Sequence, residues 1–127
     1  MPTVLVVDDD VAIRTVTAEW LMFYGYAAVL AANGAEALDR MRDQTPCLVI
    51  LDLHMPVMDG WEFLRRQKSD PTLAQVPVIC VTGFYGETSP LKDLGILCLE
   101  KPVDLDRLLQ AVRKTCPPPH EMSDGTN

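Results

Sequence analysis

Three carboxylates, Asp8, Asp9 and Asp52, each follow a short apolar run, Val4–Val7 for the first two and Leu48–Leu51 for the third. Two later apolar runs deliver a hydroxyl, Thr82 after Val78–Val81, and an ammonium, Lys101 just beyond Leu97–Leu99. Acids in a cluster suit a hard divalent cation, which takes oxygen ligands. A lysine and a threonine beside them suit the oxygens of a phosphoryl group. The chemistry to expect is phosphoryl transfer assisted by a metal.

Such chemistry requires that the four runs lie side by side. Short β-branched apolar runs ending in polar residues are typical of buried parallel strands that hand the chain to a loop. In open α/β folds, ligands bind outside the carboxyl ends of those strands.

The intervening segments fit that scheme. Strands are expected at 3–7, 27–31, 47–52, 77–82 and 97–100. Ile13, Val16, Trp20 and Phe23 recur at helical spacing, giving an amphipathic helix that Gly25 can stop. Asn33 with Glu36, and Asp59 with Glu62, have the cap-plus-three-residues pattern of a helix start. Leu38 and Met41 supply the apolar side of the first of these helices, and Trp61 and Leu64 lie on the second. Asp104 caps a last helix, with Leu105, Leu108, Leu109 and Val112 inward and Arg113 and Lys114 at its end. Ser89 and Pro90 can open a helix that Gly95 ends within about two turns, so the fourth helix should be short or irregular. Five β–α units imply an α/β fold with one doubly wound parallel sheet.

At 127 residues the chain suits one domain. That domain is expected over 1–116, with 117–127 a disordered tail or the start of a linker. The net charge of −7 and the lack of a basic patch argue against direct nucleic-acid binding. No apolar stretch is long enough for membrane insertion, and the N-terminus lacks the pattern of a signal peptide, so the cytoplasm is the expected location. Cys47, Cys80, Cys98 and Cys116 are widely spaced without a CxxC pair. Neither a zinc site nor a disulfide framework is expected, and Cys80 and Cys98 should be small core residues.

Each site residue also has a plainer role. Asp10 should act only as a helix cap, and so should Asp59. Trp20 and Trp61 should be packing residues. The His54 side chain should line the mouth of the site rather than bind metal.

Four motifs carry a resemblance over residues 3–115: Val-Val-Asp-Asp at 6–9, Leu-Asp-Leu-His-Met-Pro-Val-Met-Asp-Gly at 51–60, Pro-Val-Ile-Cys-Val-Thr-Gly at 77–83 and Glu-Lys-Pro-Val at 100–103. Together, in this order, they resemble the response-regulator receiver domain, the phosphoacceptor of two-component signalling. The resemblance implies a flavodoxin-like fold with five strands and five helices. It implies Mg²⁺ held by Asp8 (through a water), Asp9, Asp52 and the His54 backbone carbonyl. Asp52 would be phosphorylated by a histidine kinase or a histidine phosphotransfer protein, with Thr82, Gly83 and Lys101 binding the phosphoryl oxygens. The domain would assist its own phosphorylation and dephosphorylation rather than act as an enzyme on other substrates. His54 and Phe84 would tune phosphoryl lifetime, Lys101–Pro102 would be cis, and the output would pass to a downstream protein or a missing output domain. A weak homodimer is also compatible.

Two departures concern the readout. Cys98 stands where receivers usually carry a Tyr or Phe, and the segment between Thr82 and Lys101 is a few residues short. A loop of Phe84, Tyr85 and Gly86, hinged at Gly83 and Gly86, is the expected substitute switch. A phosphorylation-independent docking module with this fold is the alternative reading. An aspartyl phosphatase resembling the haloacid dehalogenases fits poorly, because His54 stands where those enzymes need a second Asp.

Overall fold

In the computed structural model, residues 2–83 and 89–117 are described. Five strands, β1 (Thr3–Val7), β2 (Ala27–Ala31), β3 (Leu48–Asp52), β4 (Val78–Thr82) and β5 (Leu97–Glu100), form one parallel sheet in the order β2-β1-β3-β4-β5. Five helices alternate with them: α1 (Val11–Phe23), α2 (Gly34–Asp43), α3 (Gly60–Ser69), α4 (Ser89–Asp93) and α5 (Leu105–Thr115). This is the expected doubly wound fold, and α4 is a single short segment as its glycine and proline punctuation requires.

Side-chain alternation along the strands divides the core in two. Leu5, Val7, Val49, Leu51, Val78 and Cys80 face one layer, where α2, α3 and α4 contribute Leu38, Met41, Phe63, Leu64 and Leu91. Val4, Val6, Leu48, Ile50, Ile79 and Val81 face the other, covered by Leu21 of α1 and Leu108 and Val112 of α5. Both faces are buried, so β3 and β4 are apolar almost throughout.

Helix starts follow the caps read from the sequence. The side chains of Asp10, Asn33, Asp59 and Asp104 accept backbone N–H groups of the first turns of α1, α2, α3 and α5. After α1 and α4 the chain turns through Gly25 (φ 94°) and Gly95 (φ 76°), where a side chain would be strained. Lys101–Pro102 is cis. Trp20 and Trp61 are partly buried against the two core layers.

Three expectations are corrected. The stripe Ile13, Val16, Trp20 and Phe23 is not the buried face of α1. Val16 and Phe23 are 63% and 79% exposed, while Ala18 and Leu21 meet the sheet. Periodicity finds an apolar stripe but not what it faces, and the layer that α1 covers is already filled by bulky strand residues and Tyr26. On α5, Leu105 points outward, half exposed, and Leu108 and Val112 do the packing. Finally, Cys47 and Cys116 are joined in a disulfide across a separation of 69 residues. Spacing could not show this pair, because only the sheet brings the residue before β3 beside the end of α5.

Among the described residues no helix is long and apolar enough to cross a membrane. Of the tail expected at 117–127, residues 118–127 lie outside the described residues, as does the Phe84, Tyr85 and Gly86 loop.

Candidate functional site

β1 and β3 are adjacent, yet the chain leaves them for opposite faces of the sheet: α1 follows β1 on one side and α3 follows β3 on the other. That divergence opens a crevice at their carboxyl ends, the switch point where this fold places ligands. Asp8 and Asp9 stand just past β1, Asp52 ends β3, Thr82 ends β4 and Lys101 follows β5. The register Val7↔Leu51, Asp52↔Val81 and Thr82↔Glu100 brings the four strand ends level.

Carboxylate oxygens of Asp8, Asp9 and Asp52 all lie within 4.8 Å of one another. Asp8 and Asp52 are buried and Asp9 is exposed. Lys101 Nζ reaches both buried acids, 3.1 Å from Asp52 Oδ2 and 3.4 Å from Asp8 Oδ2. The other oxygens are held by backbone: Asp10 N–H donates to Asp8 Oδ1 at 2.9 Å and His54 N–H to Asp52 Oδ1 at 3.1 Å. Lys101 N–H donates to the Thr82 carbonyl at 2.8 Å, tying β5's exit to the threonine. Thr82 is fully buried, while Gly83 is exposed with open space around its Cα. The His54 side chain is exposed, in keeping with a place at the mouth.

The electrostatics follow from this packing. Burial pushes the Asp8 carboxyl above its ordinary value and Asp52 adds to the rise, against the Asp10 N–H and the Lys101 charge. Burial also works against the Lys101 charge, but the carboxylates of Asp52 and Asp8 outweigh it and hold the ammonium above its usual value.

Three acids and one lysine leave the cluster short of positive charge. An oxygen-only donor set of this kind, two acids buried and one open to solvent, fits a hard divalent cation such as Mg²⁺.

One stability prediction arises here. An acid with a raised folded pKa contributes nothing below its unfolded value and costs stability as pH rises through the interval up to the folded value. At neutral pH the Asp8 charge therefore weighs against the cation-free fold. Asp8→Asn should raise Tm in EDTA by roughly 2–5 °C, and should lose much of the stabilisation that Mg²⁺ gives the parent chain. Calorimetry with and without Mg²⁺ checks both; a lower Tm in EDTA would show that the charge is needed by the fold itself.

Some neighbours were not foreseen. Arg14 Nη1 donates to the Asp8 carbonyl at 2.7 Å, bracing the turn between β1 and α1. Ile13 and Thr17 of α1, with Val103 and Leu108, line a largely apolar cleft of about 490 Å³ whose walls also include Asp8, Asp52 and Lys101. No sequence signal separates Arg14 or Thr17 from other helix-surface residues. Cys98 is buried on the α2–α3–α4 side of the sheet, opposite Cys80 in the β4–β5 register. Phe84 and Tyr85 lie outside the described residues.

Comparison with known proteins agrees with this geometry. The profile of the response regulator receiver domain matches residues 4–113. Sporulation initiation phosphotransferase F of Bacillus subtilis is 37% identical over 115 residues, spanning 90% of this chain and 93% of its own. The transcriptional regulatory protein ZraR of Klebsiella oxytoca is 36% identical over 109 residues, covering 83% of this chain but 24% of its own length. Among solved structures, a response regulator receiver protein from Pseudomonas putida superposes with a TM-score of 0.83 at 34% identity, covering 89% of this chain and 96% of that one. Chemotaxis protein CheY4 of Vibrio cholerae superposes with a TM-score of 0.78 at 32% identity, covering 91% and 98%. With four strand ends converging on an acidic crevice and the family profile spanning residues 4–113, the chain belongs to the response regulator receiver domain family, the phosphoacceptor domains of two-component signalling.

Proposed function

We propose that Asp52 is the phosphoacceptor and that Asp8, Asp9 and Asp52, with the His54 backbone carbonyl, hold Mg²⁺. The observation that carries this reading is the placement of Lys101 Nζ, 3.1 Å from Asp52 and 3.4 Å from Asp8, beside a cluster of three acids at the sheet's switch point. Mg²⁺, when bound, offsets the repulsion among the acids and the charge of the incoming phosphoryl group.

The chain's own groups do the rest. The Asp52 carboxylate attacks the phosphorus of a phosphohistidine or small acyl phosphate; a P–O bond forms and the bond to the leaving group breaks. A leaving imidazole keeps the electron pair of the P–N bond and takes up a proton. Lys101 turns from its carboxylate partners to a phosphoryl oxygen, acting as a point charge. The Thr82 hydroxyl and Gly83 N–H donate to the remaining oxygens. In this way the domain assists its own phosphorylation and, with water as attacking group, its dephosphorylation. His54, exposed at the mouth, and Phe84 regulate the access of that water.

The donor is a histidine kinase or histidine phosphotransfer protein. The largely apolar cleft beside α1, with Asp52 in its wall, and the exposed stripe of Val16 and Phe23 give the helix bearing the phosphohistidine a surface to lie on. Cys98, small and buried beneath α4, replaces the aromatic side chain expected there, so readout falls to the segment after Gly83.

Beryllium fluoride, a phosphoryl mimic, tests the reading. Titrated with Mg²⁺ present, it should give a saturable change in Trp fluorescence and in amide shifts around 52–54, 82–83 and 101, and no change without Mg²⁺. A response independent of Mg²⁺, or none, would overturn the proposal.

A further inference from the structure

We propose that the Cys47–Cys116 disulfide is a reversible redox clamp that locks the end of α5 to the sheet, on the side of the domain away from the phosphoacceptor crevice. Cys47 immediately precedes β3, whereas Asp52 ends it, so the bond and the crevice lie at opposite ends of one strand. Cys116 caps α5, and the chain leaves the domain through Pro117 directly after it. The bond therefore adds a covalent tie between the end of α5 and the start of β3.

The geometry favours reversal rather than a permanent staple. Each cysteine is placed by contacts that do not need the bond. Cys47 N–H donates to the Thr3 carbonyl at 2.9 Å, and Cys116 N–H to the Val112 carbonyl at 2.7 Å. The buried Tyr26 hydroxyl donates to the Cys116 carbonyl at 2.6 Å. With Cα atoms 6.1 Å apart, inside the range a disulfide spans, the two thiols stay opposed after reduction and can close again. Cys47 is only partly buried, giving a reductant a point of attack, while Cys116 is enclosed. Cys80 and Cys98 are both buried, and burial pushes their thiols above the ordinary range, which keeps them out of exchange.

The reductant is a dithiol. One of its thiolates attacks Cys47 Sγ; the S–S bond breaks and Cys116 leaves as a thiolate that takes up a proton. The second thiol of the reductant then attacks its own sulfur in the mixed disulfide, releasing Cys47 as a thiol. Two electrons and two protons pass to the protein, and the dithiol becomes a disulfide. A disulfide oxidant runs the same steps backward.

The test equilibrates the full 127-residue chain, without denaturant, in graded ratios of reduced to oxidised dithiothreitol. Samples are quenched in acid and alkylated unfolded with a mass-tagged maleimide. The expected result is a reversible passage from four alkylated thiols to two. With reduction, Tm should fall by roughly 10 °C, since the bond closes a long loop, and amide exchange at 112–116 should speed up at least tenfold. Cys47→Ser should show neither redox response. Four thiols under every oxidising ratio would overturn the proposal, as would a bond that resists excess reductant in the native state, or a closing bond that leaves Tm and exchange unchanged. None of these readouts depends on the crevice: beryllium fluoride binding tests Asp52, and its loss with the thiol transition intact would count against the phosphoacceptor proposal alone.

Discussion

Asp52→Asn should abolish phosphoryl uptake, lowering labelling by acetyl phosphate by at least about 10³-fold, while the domain stays folded. The amide occupies nearly the same volume but cannot form an acyl phosphate, and it removes one negative charge from a cluster that already repels itself. Lys101 keeps a partner in Asp8, 3.4 Å away, so no buried cation is left alone. For that reason the variant should unfold within a few degrees of the parent chain, and without Mg²⁺ it should not be less stable. Beryllium fluoride should produce no change in Trp fluorescence. Intact-mass spectrometry after incubation with acetyl phosphate and Mg²⁺ checks the uptake. A phosphoryl adduct retained by the Asn variant would place the acceptor at another residue, with Asp9, exposed in the same cluster, the next to be replaced.

Gly60→Ala should cost about 2–3 kcal/mol, the upper part of what forcing atoms into a well-packed site costs, and lower Tm by roughly 10 °C. Gly60 opens α3, and its N–H donates to the Leu53 carbonyl at 3.0 Å. A Cβ there would stand 2.7 Å from Leu53 Cα and 2.8 Å from the Asp52 carbonyl oxygen. These are backbone atoms of the segment that carries Asp52, so they cannot yield by a rotamer change. Either α3 moves away from the sheet, opening the layer that Phe63 and Leu64 fill, or the chain at 52–54 shifts. Both disturb the Asp52 carboxylate and the His54 carbonyl, and Mg²⁺ affinity should fall along with stability. Gly83→Ala is the matched control. Among the described residues a Cβ at Gly83 meets nothing within 4 Å, and the variant's Tm should stay within about 2 °C of the parent. Equal Tm values for the two alanine variants would show that the approach of α3 to β3 is looser than the structure has it.

Bound at the proposed site, Mg²⁺ would act on the fold in a different way from the disulfide. The cation would relieve repulsion between charges at one end of the sheet, so its effect should shrink when Asp8 loses its charge. The Cys47–Cys116 bond restricts the unfolded chain and the last turn of α5, so its effect should persist in any variant of the crevice. Measuring both in the Asp8→Asn chain separates them.

The sequence by itself determined a great deal of this protein. Apolar runs that end in Asp8, Asp52 and Thr82, short and without alternation, fit strands buried on both faces better than helices, which need more residues. Parallel strands joined by capped helices then leave few topologies, and polar residues at the strand ends must meet at one edge. The caps at Asp10, Asn33, Asp59 and Asp104 were legible for a local reason: a side chain accepting an N–H two or three residues ahead needs no tertiary partner. So was the brevity of α4, set by Pro90 and Gly95.

Tertiary structure decided the rest, most of it through contacts distant in sequence. On α1 two faces compete, and the sheet accepted the one with Ala18 and Leu21, leaving the more regular stripe of Val16 and Phe23 in solvent. Nothing within a helix states which side its neighbours already fill. The bracing of Asp8 by Arg14 depends on the direction of a turn. The union of Cys47 with Cys116 depends on where the sheet sets the start of β3 relative to the end of α5. Local propensity and patterning are properties of neighbouring residues, whereas register between elements is set by packing over the whole core, which the linear pattern does not contain.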